Sequence, residues 1–389
     1  MKSKEWQAAF EVIATLQQAG FEAYVVGGAV RDTLLGKAVN DVDVATSALP
    51  HEVKSLFATT VDVGIEHGTV LIVHPLAPVE VTTFRVDGEY TDHRRPQQVQ
   101  FVRELREDLA RRDFTINAMA LQQDGTVIDY FNGQQDLQQQ VIRAVGNAKE
   151  RFAEDALRML RAVRFTSQLG FTVAPNTKQA MVQHAQDLQF VAIERVKQEL
   201  DKMLVGQHVT AAIALMQETS IADVLPGVWH AQKWFGFIPR TVIEGWAYML
   251  HFNRTQLELM QQYRLTNKEK RAVKQLLLAF DALVERGFTR TDYYTFDEAT
   301  LVGAVHMARH FTSAGVSEQE VLAHKRALPI QSRQELAVNG NDLQEWRKEK
   351  PGKWLQQALA TIERAVVYGE VENTKQHIRS WYCNDNNER

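Results

Sequence analysis

The chain has 389 residues, of which 45% are hydrophobic and 24% charged, and its formal net charge is -4. This composition is that of a globular protein long enough for two to four domains, and it excludes a chain that is basic throughout. The one cysteine, Cys383, excludes an internal disulfide. No apolar run approaches the ~20 residues of a membrane span, and the N-terminus lacks a signal-peptide core, so we expect a cytoplasmic protein.

The first 147 residues carry the signals of both strands and helices. Trp6, Phe10, Ile13 and Leu16 recur at helical spacing, which predicts an amphipathic first helix. Short apolar runs then predict strands at 22–26, 41–45, 59–63, 68–73, 79–84 and 126–131. Turn and capping residues predict helices at 28–36 and 49–57, and the polar residues 85–100 predict a mobile loop.

Beyond about residue 148 the strand signal fades and helical patterns continue to the end. Residues 149–170 are predicted to form a helix with an apolar stripe, and the late tryptophans favour helix-bundle cores. The basic run 264–275 is typical of a solvated helix face. The predicted fold is an α+β N-terminal head on a small mixed β-sheet, followed by an all-α C-terminal region.

Two aspartates stand one residue apart in "DVDVA", residues 41–45. Because side chains alternate along a strand, Asp41 and Asp43 share one face and Val42 and Val44 the other. Neighbouring carboxylates repel unless a cation neutralises them, and Mg²⁺ is a cation that binds such carboxylates together with substrate phosphates. The alternative is a pair of turn aspartates after Asn40.

A glycine pair precedes these aspartates, between an apolar strand and a helix that carries Arg31. Gly27 and Gly28 allow backbone N–H groups to approach a phosphate, although such a pair also occurs in ordinary tight turns. A phosphate cradle and a metal-ligand pair within twenty residues favour nucleotidyl transfer with two metal ions.

The segment "GGAVRDTLLG…DVDVAT" resembles the first motif of the tRNA nucleotidyltransferase and bacterial poly(A) polymerase family, class II, in the DNA polymerase β-like superfamily. Four later segments resemble its other motifs in order: "RRDFTINAMA" (111–120), "DYFNGQQDLQQQVIR" (129–143), "EDALRMLRAVRF" (154–165) and "ERVKQELDKML" (194–204). The resemblance covers about half the chain.

This resemblance implies a catalytic nucleotidyltransferase head at 1–147, a base-reading neck at 148–205, a body at 206–330 and a tRNA-binding tail at 331–389. The implied activity is template-independent addition of C, C and A to the 3′ end of tRNA, using CTP, ATP and Mg²⁺. The expected partners are the acceptor and TΨC arms of tRNA, with no membrane. A homodimer is one assembly that the sequence allows.

The fourth motif supplies candidates for nucleotide recognition. Asp155, Arg158, Arg161 and Arg164 advance along the helix away from the apolar stripe, and a solvated face with Glu154–Arg158 and Asp155–Arg158 pairs is the structural alternative. The family pattern assigns base reading to Asp155 and Arg158 and places Arg161 and Arg164 in the nucleotide site. A carboxylate and an arginine match the amino group and ring nitrogen that cytosine and adenine share.

The remaining candidates lie in the head. The resemblance makes Gly28, Arg31 and Arg112 nucleotide contacts and makes Asp41 and Asp43 the metal-binding catalytic pair. Glu80 stands between Val79 and Val81 in a predicted strand, so it is either the third catalytic carboxylate or an exposed strand residue.

Rival functions share part of this pattern. A poly(A) polymerase uses ATP alone, and a CC-adding enzyme stops before A. The resemblance implies that the switch from C to A depends on a loop between the first two motifs, so the intact loop at 85–97 argues against a CC-adding enzyme. A non-catalytic RNA-binding protein would lack one of the metal aspartates. A small-molecule nucleotidyltransferase would not explain the fourth motif.

Overall fold

The protein is described here from a computed structural model, which covers residues 3–39, 41–87, 99–253, 256–311 and 315–385. By their contacts, the residues fall into two compact units, Met1–Ile238 with Gln262–Arg264 and Pro239–Gln261 with Leu265–Arg389. The predicted four-part division into head, neck, body and tail stays a prediction.

The head contains most of the strands. They are β1 Ala23–Val26, β2 Val44–Thr46, β3 Thr60–Gly64, β4 Thr69–Ile72, β5 Val79–Thr83, β6 Arg85–Asp87, β7 Val99–Phe101, β8 Met119–Leu121 and β9 Val127–Asp129. The helices between them are α1 Lys4–Gln18, α2 Gly28–Leu34, α3 Pro50–Leu56, α4 Leu105–Ala110 and α5 Gly133–Gln139.

Within the described residues, a seven-stranded sheet forms the centre of the head, in the order β3-β4-β5-β2-β1-β8-β9. β2 and β5 run parallel and the other neighbours antiparallel, so the sheet is mixed, as predicted. The first helix packs against β1 and β5 and buries Trp6, Ile13 and Leu16, which confirms its amphipathic prediction. Val26, Ala45, Phe84 and Leu109 belong to one buried cluster of this head.

Helices dominate the rest of the chain, as predicted. The first unit continues with α6 Ala148–Glu154, α7 Leu157–Leu169, α8 Pro175–His184, α9 Ile193–Leu204, α10 Val209–Glu218, α11 Ile221–Val224 and α12 Ala231–Trp234, and two short strands, β10 Val141–Ile142 and β11 Thr172–Val173, pair in parallel. The later helices are α13 Val242–His251, α14 Gln256–Gln262, α15 Asn267–Arg286, α16 Arg290–Thr295, α17 Glu298–Phe311, α18 Glu318–Arg326, α19 Gly340–Arg347, α20 Lys353–Tyr368 and α21 Lys375–Asp385.

The C-terminal helices have a core of their own. Leu343, Ile362, Val366 and Ile378 are completely buried together. The basic run 264–275 lies largely on α15, where Lys268, Arg271 and Lys274 are exposed, so the predicted solvated face is confirmed. No helix in the described ranges combines the length and the apolarity that a membrane crossing requires.

Three sequence predictions need correction. The predicted strand 41–45 begins only at Val44, since Asp41 and Asp43 precede it. The predicted loop 85–100 is strand at both ends, because β6 pairs with β7 in antiparallel register, while residues 88–98 lie outside the described residues. The predicted single helix 149–170 is two helices, because the backbone of Asp155 is extended.

Candidate active site

A cavity of about 500 Å³ in the first unit collects residues from four of the five motifs. Seven arginines line it: Arg31, Arg111, Arg112, Arg158, Arg161, Arg164 and Arg195. Three aspartates join them: Asp43, Asp113 and Asp155. Such an excess of arginine is concentrated in one cavity although the chain has a net charge of -4, so the cavity suits a polyanion such as a triphosphate.

The predicted alternation of side chains around the aspartate pair is confirmed. Asp41 and Asp43 are exposed, whereas Val42 and Val44 are buried. The parallel register pairs Val44 with Val81, so the exposed Glu80 lies level with Asp43 on the neighbouring strand. Asp41, Asp43 and Glu80, the acidic group, therefore lie close together at the end of the two strands.

The acidic group carries unbalanced negative charge. Asp43 is exposed as a residue, but its carboxyl group lines the cavity and is partly shielded from water. This desolvation, followed by the charges of Asp41 and Glu80, raises the pKa of Asp43 to about 6, while the charge of Arg112 acts in the opposite direction. No group of three possible ligands within the described ranges already stands in the arrangement of a metal site. The donor set nevertheless fits a hard divalent cation, which carboxylate oxygens bind and which would relieve the repulsion.

The glycine turn and Arg112 pack against each other. Gly27 has a φ of 72°, a backbone conformation that favours glycine, and a Cβ there would lie 2.9 Å from Nη1 of Arg112, so a larger residue would also displace the end of that side chain. Arg112 donates from Nη2 to the buried Asp108 at 3.1 Å, and Arg111 bonds the other oxygen of the same carboxylate. Asp108 thus holds both arginines from the protein side, while their charges line the cavity.

A chain of hydrogen bonds joins the first, second and fourth motifs. Arg31 donates to Asn117 at 2.6 Å, and Asn117 donates to Asp113 at 3.1 Å. Asp113 accepts from Nε of Arg161 at 2.6 Å through its other oxygen. Arg31 also forms a bidentate pair with Asp32. The arginines from the head and from α7 are therefore oriented by one connected network.

The two predicted base-reading residues both line the cavity, but they do not share one helix. Asp155 lies between α6 and α7, where its Oδ1 accepts from the backbone N–H of Leu157 at 3.1 Å. Its Oδ2 pairs with Nη2 of Arg195 at 2.8 Å, so the alternative of an Asp155–Arg158 pair is wrong. The extended backbone at Asp155 follows from this local side-chain bond, which competes with continuation of the helix.

Arg158 is buried and held from three sides. It pairs with Glu154 at 2.6 Å, as the structural alternative predicted, and also donates to the carbonyl oxygens of Arg151 and Arg111, each at 3.1 Å. These bonds use three of its five N–H donors. The guanidinium is consequently fixed in the cavity wall between the head and α7.

Arg164 completes the group of arginines from α7. Its Nε lies 2.8 Å from the buried carboxylate of Glu199, and its guanidinium lies 4.4 Å from the ring centre of Phe165. Stacking of this kind between a cation and an aromatic ring is worth ~0.5–2 kcal/mol, depending on exposure.

The sequence assigns no role to several residues of the cavity wall, among them Arg195, Arg111 and Phe165. Arg195 lies inside the segment matching the fifth motif, and that match was the available signal. Arg111 begins the segment that matches the second motif and Phe165 ends the segment that matches the fourth, but neither match gives these two residues a role. Contacts between distant segments, which sequence periodicity does not encode, bring these three together.

Three family models match successive parts of the chain. Residues 23–143 match the Poly A polymerase head domain, 170–232 the probable RNA and SrmB-binding site of polymerase A, and 238–382 the putative tRNA nucleotidyltransferase domain 2. The CCA-adding enzyme of Geobacillus stearothermophilus is 42% identical over 398 residues, which cover 99% of this chain and 98% of the relative. The chain belongs to the CCA-adding enzyme family.

Other CCA-adding enzymes are also similar to this chain in sequence and structure. That of Bacillus cereus strain G9842 is 41% identical over 98% of this chain and 99% of its own. The crystal structure of the Bacillus stearothermophilus CCA-adding enzyme in complex with CTP has a TM-score of 0.87 at 39% identity, covering 100% of this chain and 99% of that one. The Thermotoga maritima CCA-adding enzyme complexed with tRNA, at 20% identity and a TM-score of 0.64, shows the same fold.

These comparisons confirm the predicted family, the fold class and the classification as a nucleotidyltransferase. Membership of the CCA-adding enzyme family also implies the use of a divalent metal ion.

Proposed function

We propose that this chain adds C, C and A in turn to the 3′ end of tRNA. In each step the terminal 3′-oxygen of the tRNA forms a bond to the α-phosphorus of CTP or ATP, the bond to the β-phosphate breaks, and pyrophosphate leaves. The observation that carries the proposal is the arginine-lined cavity with the acidic group at its edge. Arginines there would bind the triphosphate, and the acidic group marks the reacting end.

Asp41 and Asp43 are the proposed ligands of Mg²⁺, and Glu80 the third catalytic carboxylate. The cation supplies activation of the 3′-hydroxyl and neutralisation of the leaving pyrophosphate when it is bound. The register of β2 and β5 supports the inclusion of Glu80, because it sets that carboxylate level with Asp43. The raised pKa of Asp43 reflects first the partial burial of its carboxyl group and then the negative charges of Asp41 and Glu80.

The triphosphate is proposed to lie between the glycine turn and the arginines. Gly28 begins α2 beside the turn, and Arg31 and Arg112 line the cavity on either side of it. Their carboxylate partners, Asp32 and Asp108, fix the guanidinium planes while leaving the positive charge on the cavity side. Preoriented charges of this kind stabilise a transferring phosphoryl group without reorganisation.

Asp155 and Arg158 are proposed to read the base, with Arg161 and Arg164 beside them in the nucleotide site. Both readers are held by other residues, Asp155 by Arg195 and Arg158 by Glu154. Such fixed groups would match the amino group and ring nitrogen of cytosine and adenine. Uracil or guanine would leave these polar groups unpaired, which is where discrimination becomes large.

The remaining parts are proposed to bind tRNA. The neck at 148–205 carries the base-reading residues, and the body at 206–330 and tail at 331–389 would contact the acceptor and TΨC arms. Recognition by shape and backbone suits a partner in A-form, whose sequence is hidden. The cytoplasmic location and a homodimer remain predictions.

One experiment tests the function. The full chain is incubated with Mg²⁺, tRNA lacking its 3′ CCA, and labelled CTP or ATP, singly and together, and the products are sized. We expect two additions with CTP alone and three with both triphosphates. Long products from ATP alone would favour a poly(A) polymerase. Arrest after two additions when both CTP and ATP are present would favour a CC-adding enzyme, and no addition under any condition would contradict the proposal.

A further inference from the structure

Three arginines of the cavity surround one buried phenylalanine. The guanidinium carbons of Arg164, Arg31 and Arg161 lie 4.4, 4.9 and 5.8 Å from the ring centre of Phe165. The residue itself is only 3% exposed, and its ring meets that of Phe114 edge-on at 5.9 Å. Phe165 also lines the cavity.

These arginines come from different elements and repel one another. Arg31 belongs to α2, whereas Arg161 and Arg164 belong to α7 with Phe165. Burial lowers the pKa of Arg164, and the positive charges of Arg161 and Arg31 lower it further, while Glu199 opposes them. Like charges held this close raise the electrostatic free energy of the site, which their neighbours must offset.

Each arginine has a carboxylate partner, but that partner fixes only one edge of the guanidinium. Arg31 pairs with Asp32, Arg161 with Asp113, and Arg164 with Glu199. The electron-rich face of an aromatic ring attracts cations without adding a charge that would compete with a phosphate. Phe165 can therefore hold the three groups close together without adding a further negative charge that would oppose a phosphate.

We propose that Phe165 is a positioning residue that holds Arg31, Arg161 and Arg164 for the triphosphate of either nucleotide. This role rests on the proposed function, in which the cavity accepts CTP and ATP. Phe165 acts on the part that both nucleotides share, so it sets their affinity and leaves the choice of base to Asp155 and Arg158.

The test measures binding of inorganic tripolyphosphate and of CTP to the full chain by calorimetry, in wild type and three variants. Phe165→Leu removes the aromatic face and keeps an apolar side chain, whereas Phe165→Tyr keeps the ring. Phe152→Leu is the matched control, since Phe152 is completely buried on α6 and outside the cavity wall. We expect Phe165→Leu to weaken both ligands about tenfold, and the other two variants to bind within about twofold of wild type.

Kinetics give the second measurement. KM for CTP and ATP should rise by the same factor in Phe165→Leu, with the preference for CTP over UTP unchanged. A loss no larger than that of Phe152→Leu, or a changed base preference, would overturn the role. Circular dichroism verifies folding, and Phe165→Met serves in the same comparison if the leucine variant unfolds.

Tripolyphosphate binding separates this role from the proposed function. A wild-type chain that binds tripolyphosphate but adds no nucleotide to tRNA would contradict CCA addition. A tenfold loss of tripolyphosphate binding in Phe165→Leu would support the positioning role even then.

Discussion

Arg161 donates from Nε to Oδ2 of Asp113 at 2.6 Å, although 48 positions separate the two residues in the chain. The pair joins the second motif to the fourth. Asp113 is nearly buried, and its other oxygen accepts from Asn117 and from the backbone N–H of Phe114. This one carboxylate thereby connects the head to the helix that carries the proposed nucleotide-binding arginines.

The Asp113–Arg161 pair should make the free energy of unfolding depend on pH in the acidic range. Burial alone would raise the pKa of Asp113, but Arg161 and the hydrogen bonds outweigh it and lower that pKa to about 2. Because the folded value lies below the ordinary 3.8, the ionised group stabilises the fold above about pH 4, and this contribution is lost as pH falls through 2. We expect Asp113→Asn to lower the free energy of unfolding by about 2 kcal/mol at pH 7.

Urea unfolding of wild type and Asp113→Asn at several pH values measures this difference. It should shrink progressively between pH 4 and pH 2, since the wild-type carboxyl is then protonated too. Asp223→Asn, at an exposed position of α11, is the control and should change little. A difference between wild type and Asp113→Asn that stays constant down to pH 2 would show that the charge of Asp113 does not matter.

Loss of a metal ligand should abolish transfer of both nucleotides. We expect Asp41→Ala to reduce incorporation of CTP and ATP by about 10³-fold or more, since the cation's charge stabilisation is worth several kcal/mol. Binding of tRNA, measured by gel shift, should be retained, because Asp41 is an exposed member of the acidic group and its loss leaves the folded core unchanged. Asp62→Ala removes another exposed carboxylate of the same sheet and should remain active. Retained activity of Asp41→Ala would refute the metal assignment.

Base selection should weaken when Arg158 is lost. We expect Arg158→Ala to lower the preference for CTP over UTP at least ~10-fold, because its hydrogen bonds distinguish the two bases. The measurement is kcat/KM for each triphosphate on tRNA lacking the final residues. Arg106→Ala, at an arginine that stacks on Tyr130 and does not line the cavity, is the matched control. An unchanged ratio in Arg158→Ala would remove this residue from base reading.

The segment between β6 and β7 should affect the addition of A to tRNA more than the addition of C. In the family that the sequence resembles, the switch from C to A depends on a loop between the first two motifs. We expect deletion of residues 88–94 to block A addition to tRNA ending in CC while C addition continues. Single-turnover assays with each substrate measure the two steps, and an equal loss of both would contradict a switching role.

Local spacing in the sequence was enough to predict the shared face of Asp41 and Asp43 and the type of fold. Asp41 and Asp43 share a face because side chains alternate along an extended chain, and this holds even though β2 starts only at Val44. The motif segments were likewise recognisable from local spacing. Such features depend on neighbours in the chain, so the sequence displays them directly.

Which charged side chains pair with each other depends on how the chain folds in three dimensions. Asp155 forms an ion pair with Arg195 instead of Arg158, and Asp113 forms one with Arg161. The ring of Phe165 contacts arginines from both α2 and α7. Three of these contacts, Asp155 with Arg195, Asp113 with Arg161 and Phe165 with Arg31, join residues that lie far apart in sequence. Packing of the head and of α9 against α7 selects these partners, because a buried charge is tolerated only where its partner is brought to it.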